Sequence, residues 1–472
     1  MNPYSPGIVA MKNFVDREWE MEQLRKEIQN AREGRGRCIL IVGEAGVGKS
    51  TFLNHFQDTN DEKCLVVSEN TELYRDWFDL FDTVLKEGAK KGKKFASKIK
   101  ESGIRTIEAL GAISLKMAAK HIFGDVPMGK MIEKLQAEPA LYSKSQKIIA
   151  GEFRKLNRVL NALGKSLIII LDQAESLLNI PGALTLLDLI SEDLSKQKYS
   201  HIIFIVAMRK EKIGDLYLSR PSLLNHFRVM ELQRFSKEAA IDAVVKPLQE
   251  EGIKIDFDVV SSVVTDCEFH PYYIQYFCYY LYESRKGDRI TTEVWNSIRM
   301  NTLDNIHELQ LASVRSSEAK EILFTLAKSP TPLTTDSIVE ETKLPKEIIM
   351  KELKVLETGL IIKRIRFDIY SFSHTLLKEY VQSRFLSEVE RQKYTIISIN
   401  HVAQYYANSG EQDSAVPLYR SIVDICQKAE LSKDPQIRDI YEKASSIASL
   451  MPEVKGIAQL SETEVTWRAH AG

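Results

Sequence analysis

Cysteine is scarce in this chain, with five among 472 residues: Cys38, Cys64, Cys267, Cys278 and Cys426. No two form a C-x-x-C pair and none has a His partner at metal-ligand spacing, which argues against a disulfide framework and a Cys/His metal site. Their neighbours are mostly apolar, so five small core residues are expected. Net charge is nearly absent as well: 64 basic and 65 acidic side chains leave -1. Such a chain has no global pull towards nucleic acid or an anionic membrane, and any such binding must come from a local patch. No apolar run approaches the length of a membrane span. The N-terminal MNPYSPGIVAMKNF has no basic region followed by a long apolar core, so no secretory signal is expected and a reducing, cytoplasmic compartment is.

What is present is an ordinary globular composition, 44% hydrophobic and 27% charged, in a chain long enough for roughly three domains. The stretch GEAGVGKST runs from Gly43 through Glu44, Ala45, Gly46, Val47, Gly48, Lys49 and Ser50 to Thr51. It fills every fixed position of G-x-x-x-x-G-K-[ST]. An apolar run at 38–42 precedes it and a segment able to continue as a helix follows, the context this motif requires. The glycines let backbone N–H groups turn inward around phosphates, and the helix N-terminus adds partial positive charge. Lys49 then reaches the β- and γ-phosphates and the Ser50 hydroxyl ligates Mg²⁺. The bland alternative is a Gly-rich βα turn that binds nothing; the complete motif and its flanks decide for ATP or a related triphosphate.

Residues 167–172 form an unbroken apolar strand ending in an acid, as a buried parallel strand does. Asp172 is the second Mg²⁺ residue, placed at the C-terminal edge of the sheet. Gln173 follows where many ATPases carry the Glu that orients water; Glu175 is the nearby carboxylate that can replace it, or hydrolysis is slow. Residues 201–209 give a further strand closing on Arg209, which read by itself ends a strand in solvent. Arg220 and Arg228 lie near the next strand, and either can serve a neighbouring subunit as an arginine finger or be structural.

Before the phosphate loop, residues 14–20 place two apolar residues, then Arg17 and Glu18, ahead of an amphipathic helix through Leu24, Ile28 and Ala31, with Asp16 as its expected N-cap. A mostly helical insertion spans about 73–163. In it Lys86, Lys90, Lys91, Lys93, Lys94, Lys98 and Lys100 form a basic cluster, either a solvated surface or a phosphate-backbone or membrane-surface contact. An amphipathic stretch follows at 104–123. From 236 the pattern is helical, with Ser236 as N-cap and Pro271 at a position suited to helix N1. Residues 316–385 read as three helices and a hairpin around 367–368, with His374 just beyond. The charges of the helix at 345–358 nearly cancel, unlike a DNA reader's basic face. The remainder is helical, and 401–419 resembles a tetratricopeptide-type pair. That segment is too short to stand alone as repeats and is expected to pack on the domain before it.

In order, the Arg17-Glu18 box, the phosphate loop, Asp172, Arg209, Pro271, the winged helix and His374 resemble the STAND branch of the AAA+ P-loop ATPases, over about residues 12–385. Asp16 stands where that family usually has Gly. The resemblance implies an α/β P-loop ATPase core with a parallel sheet at 1–235, a helical lid at 236–312, a winged helix at 313–390 and a TPR-like segment at 391–472. It implies that Val15, Arg17 and Glu18 close over adenine and ribose, that Arg209 faces the γ-phosphate, that Pro271 couples nucleotide state to the lid, and that His374 reaches the ADP β-phosphate. The function implied is a signalling or defence switch, closed on ADP and opened and oligomerised by ATP, with an output partner in trans because only a dozen or so residues precede the box. A second reading resembles archaeal replication initiators, which join AAA+ to a winged helix and bind DNA. A third is a nucleotide-binding scaffold with negligible hydrolysis.

Overall fold

Five apolar runs become five strands: β1 (Cys38–Gly43), β2 (Cys64–Asn70), β3 (Ser166–Asp172), β4 (Ile202–Arg209) and β5 (Phe227–Glu231). The computed structural model describes residues 2–4, 15–33, 38–59, 64–96, 139–196, 201–312, 314–366 and 368–450. The expectations placed on Phe14, Lys98, Lys100, 104–123 and 451–472 lie outside the described residues. The chain divides into two compact units, Gly7–Phe235, and Met1–Pro6 with Ser236–Gly472.

In the first unit the strands pair in the order β2-β3-β4-β1-β5, each neighbour parallel. Alternation along each strand feeds two layers. Leu40 and Val42 of β1 and Leu167, Ile169 and Leu171 of β3 face helices α3 (Trp77–Ala96), α4 (Pro139–Ala162) and α5 (Ala183–Ser195) through Phe81, Phe153 and Ile190. Ile39, Ile41, Ile168 and Ile170 face α1 (Glu18–Arg32) and α2 (Lys49–Asp58) through Leu24, Ile28, Phe52 and Phe56. A strand covered on both faces has no polar side to show, which is why these runs are continuous in sequence. Short helices α6 (Ile213–Ser219) and α7 (Pro221–Leu224) lead into β5. The result is a parallel-sheet α/β P-loop fold. One local expectation fails. Asp16 has φ 56°, left-handed rather than the extended geometry of an N-cap, and Glu18 Oε2 instead accepts the Arg17 N–H at 3.1 Å. The left-handed region is open to Gly and tolerated by Asp, so the Gly-to-Asp departure is compatible with the same backbone.

The second unit opens with α8 (Lys237–Glu250), capped by Ser236, whose hydroxyl accepts the Ala239 N–H at 3.1 Å. Then come β6 (Lys254–Ile255), α9 (Phe257–Asp266), α10 (Pro271–Ser284), β7 (Arg289–Ile290) and α11 (Thr292–Ala312), with β6 parallel to β7. Arg299 of α11 joins α9 and α15 (Thr375–Phe385), donating to Asp266 at 2.7 Å and in bidentate fashion to Glu379 at 2.8 and 2.6 Å. Helices α12 (Ser317–Lys328), α13 (Thr335–Thr342) and α14 (Lys346–Thr358) pack with β8 (Leu333–Thr334), β9 (Ile362–Arg366) and β10 (Ile369–Phe372), an antiparallel sheet ordered β8-β10-β9. Finally α16 (Glu388–Asn408), α17 (Gln412–Lys428) and α18 (Arg438–Leu450) close around Ile399, Leu418, Tyr419, Ile422 and Ile437. This segment builds an apolar core of its own within the same compact unit as the helices before it.

Candidate nucleotide site

Strand order places the site. β4 lies between β1 and β3, and the register sets Gly43 beside Arg209 and Leu171 beside Val206. Three adjacent strands thus carry the phosphate loop, Arg209 and Asp172 to one carboxyl edge, where open parallel sheets bind ligands. Within the loop Gly46 and Gly48 have φ of 75° and 98°, conformations that cost little only for glycine. Gly43 is glycine for a different reason: a Cβ there would lie 2.6 Å from the Leu232 carbonyl oxygen and 2.8 Å from Val47 Cγ1. α2 starts immediately after Gly48 with no side-chain cap, the arrangement that suits an anion at a helix N-terminus.

Lys49 is bent back over its own loop, Nζ donating to the Gly43 and Glu44 carbonyls at 2.8 Å each. Burial pushes its pKa down; Glu175, Glu211 and Asp172 pull it up, and Arg209 pushes it down again. Ser50 Oγ donates to Asp172 Oδ2 at 2.6 Å, and Asp172 Oδ1 accepts the Gln173 N–H at 2.9 Å. A hydroxyl and a carboxylate brought together from α2 and β3 form an oxygen pair suited to a hard cation such as Mg²⁺.

Glu175 and Arg209, expected separately, are partners. Arg209 Nε donates to Glu175 Oε1 at 2.7 Å and the Arg209 backbone N–H to Oε2 at 3.2 Å. Gln173 sits at φ 53° with its Oε1 buried and unpartnered. Beneath this turn lies Thr71, fully buried after β2. Its Oγ1 is 3.0 Å from the Asp172 carbonyl, 2.8 Å from that of Gln173 and 2.6 Å from Ser176 Oγ. No sequence pattern marked Thr71, because a threonine closing an apolar strand is unremarkable.

Arg17 is buried and fully committed within the unit. It donates to the Gln233 carbonyl at 2.6 Å and the Val47 carbonyl at 3.3 Å, pairs with Glu20 at 3.2 Å, and lies 5.3 Å from the Phe235 ring centre. Arg234 pairs with Glu44 at 2.9 Å. The segment after β5 therefore braces the phosphate loop, which sequence reading missed because nothing periodic distinguishes it. Arg220 pairs with Asp188 at 3.1 Å and Arg228 with the buried Glu27. Part of the basic cluster is also satisfied internally: Lys86 pairs with Asp82, Lys90 with Glu87, and Lys91 donates to the Val66 carbonyl.

In the second unit Pro271 is the buried first residue of α10. His374 is buried at the start of α15; its Nδ1 accepts the Leu376 N–H at 3.1 Å, so Nε2 carries the proton donated to the Cys267 carbonyl at 3.2 Å. Its ring centre lies 4.1 Å from that of Tyr273. All five cysteines are buried thiols outside any disulfide. Among the described residues no helix is long and apolar enough to cross a membrane.

Residues 13–205 match the family model of the AAA ATPase domain. Among solved structures, a Walker-type ATPase of Pyrococcus abyssi superposes with a TM-score of 0.52 at 16% identity, covering 79% of this chain and 97% of its own. That likeness shows a shared fold. The ADP form of the ORC2 protein of Aeropyrum pernix has a TM-score of 0.48 at 12% identity, covering 80% of this chain and 97% of its own. The Aeropyrum pernix ORC1 protein in complex with DNA has a TM-score of 0.42 at 14% identity, covering 79% and 93%. At TM-scores below 0.5 these two decide nothing further about this chain. No curated protein matches it.

Proposed function

We propose that this chain, whose residues 13–205 match the AAA ATPase domain, binds ATP with Mg²⁺ at the carboxyl edge of its parallel sheet and hydrolyses it slowly. The observation that carries the reading is the 2.6 Å contact of Ser50 with Asp172 beside a Lys49 already bent over the loop. In the complex Lys49 exchanges its two carbonyl partners for β- and γ-phosphate oxygens, and the loop N–H groups of 44–51 take the remaining phosphate oxygens. Ser50 and Asp172 would hold Mg²⁺, which would supply charge neutralisation of the phosphates. Glu175 receives the proton of the attacking water and Arg209 faces the γ-phosphate. Val15, Arg17 and Glu18 border the base and ribose, Arg17 by bracing Val47. In the second unit Pro271 and His374 are assigned to sensing the nucleotide, which requires His374 to give up its bond to the Cys267 carbonyl.

Titration with a fluorescent ATP analogue tests this. Lys49→Ala is expected to weaken binding roughly 10- to 100-fold, the scale of one charge-assisted contact. Ser50→Ala is expected to lose only the Mg²⁺-dependent part. A wild-type chain that binds no adenine nucleotide would overturn the reading.

For its output, DNA engagement through residues 313–390, read as a winged helix, is favoured by one observation. By composition α14 balances Lys346, Lys351 and Lys354 against Glu347, Glu352 and Glu357. In the fold Glu352 is turned inward to accept from Ser316 Oγ at 2.9 Å, and Glu357 is half-buried beside Arg364 at 3.6 Å. Three lysines and one glutamate stay exposed on α14, with Lys346 paired to Asp336, and β9 adds exposed Arg364 and Arg366. The rival output is the STAND-like switch, oligomerising on ATP and acting through a protein partner.

A further inference from the structure

We infer that Arg209 is a positioning residue that withholds Glu175, and that the γ-phosphate competes with Glu175 for its guanidinium, so the carboxylate is released only in the triphosphate complex. The inference rests on the ATPase reading above and adds a nucleotide-sensing role to two residues that the sequence treats separately.

Three features support it. The first is that both oxygens of Glu175 are engaged by one residue, Oε1 by the Arg209 guanidinium and Oε2 by its backbone N–H. A carboxylate whose two oxygens already accept hydrogen bonds from one residue has neither oriented towards a water. The two contacts also differ in kind. The backbone N–H belongs to the end of β4, fixed by pairing with β1, whereas the guanidinium is at the end of a side chain with rotatable bonds. Loss of the side-chain contact leaves Glu175 pivoting on Oε2 with Oε1 free, still at the site. The third feature is position: the register of β1 and β4 sets Arg209 beside Gly43, which places the pair beside the phosphate loop. A cleft of about 630 Å³, lined also by Glu72, Asn179 and Lys212, opens onto the pair and lets water reach it.

A γ-phosphate carries more charge and more acceptor oxygens than one carboxylate, so it is the stronger partner for a guanidinium. Once Arg209 has transferred, the water oxygen bonds to the γ-phosphorus, the bond from that phosphorus to the β–γ bridging oxygen breaks, and the water proton passes to Glu175 Oε1. ADP and phosphate leave, Glu175 gives up the proton to solvent, and the carboxylate pairs with Arg209 again. ADP lacks the competing group, so the pair persists in the diphosphate state. Breaking the pair opposes triphosphate binding, so the intact pair narrows the preference for ATP over ADP.

The test is a double-mutant cycle on the ratio of affinities for a non-hydrolysable ATP analogue and for ADP, with single-turnover hydrolysis alongside. Glu175→Gln is expected to raise the analogue-to-ADP preference about tenfold, the scale of one partly buried ion pair, while hydrolysis falls. In an Arg209→Ala background the same substitution is expected to leave the ratio within about twofold, the tolerance for uncoupled sites. An equal rise in both backgrounds would mean that Glu175 merely repels the γ-phosphate, and no rise in either would mean that the two groups do not compete; each result overturns the inference. Glu175→Ala supplies the same comparison if the glutamine variant folds poorly. Loss of all nucleotide binding in the wild type would instead be a failure of the ATPase reading.

Discussion

Lys49 shows how much one residue's surroundings alter its chemistry. A surface lysine stays charged well beyond neutral pH, but burial lowers the pKa of this one, with the nearby carboxylates resisting only in part. Phosphate oxygens favour its charged form, so binding a triphosphate raises that pKa again. The sign follows: between the lowered value and that of an ordinary lysine, nucleotide binding takes up protons. Calorimetry in buffers of different ionisation enthalpy is expected to show an uptake that grows on the alkaline side and vanishes in Lys49→Met. A wild-type enthalpy independent of buffer across that range would contradict it. At the same scale, Gly43 was legible as a motif residue, while its packing against Leu232 was not. Arg17 was legible as part of a box, but its commitment to the Val47 and Gln233 carbonyls depends on where β5 ends.

Among elements, the five parallel strands were the clearest in sequence, since continuous apolar runs closing on polar residues have few other uses. Helix starts were nearly as clear at Ser236 and Pro271, where capping chemistry is local. Asp16 misled because a residue suited to an N-cap also tolerates left-handed backbone. In α15 the fold does something that composition hides. Burial pushes Lys378 down to about 8, with Nζ donating to the Ser329 carbonyl at 2.6 Å. Its unfolded value is about 10.4, so the folded state binds fewer protons between the two and stability rises with pH across that window. The full gain is about 3 kcal/mol by linkage. Urea unfolding followed by hydrogen exchange in α15 is expected to show greater stability at pH 9.5 than at 7.5, and Lys378→Met to abolish that slope. A flat wild-type profile would argue that the amine is already neutral or remains solvated.

For the whole molecule the open matter is what the proposed ATP hydrolysis drives, and net charge of -1 is silent on it. Titration of duplex DNA against salt, in ADP and in an ATP analogue, separates the two outputs when solution mass is followed by light scattering. DNA engagement through β9 and α14 predicts a steep salt slope whose magnitude falls by about 2–3 when Lys363, Arg364 and Arg366 are replaced by alanine. A switch of the signalling kind predicts no duplex binding and a defined oligomer in the analogue alone. Salt-independent binding, or a slope unchanged in the triple variant, would remove the DNA reading.

The sequence by itself determined the elements on which the proposed nucleotide site rests. A phosphate loop, its preceding strand and a strand ending in Asp172 are local patterns whose function follows from short-range geometry. Buried strands, caps and core cysteines were legible for the same reason. Tertiary structure alone decided which candidates meet. Strand order set β4 between β1 and β3 and so paired Arg209 with Glu175, and burial of Glu352 left α14 more basic outside than its composition indicates. The physical reason is common to both: charges act through distance and exposure, and neither is written in the spacing of residues along a chain.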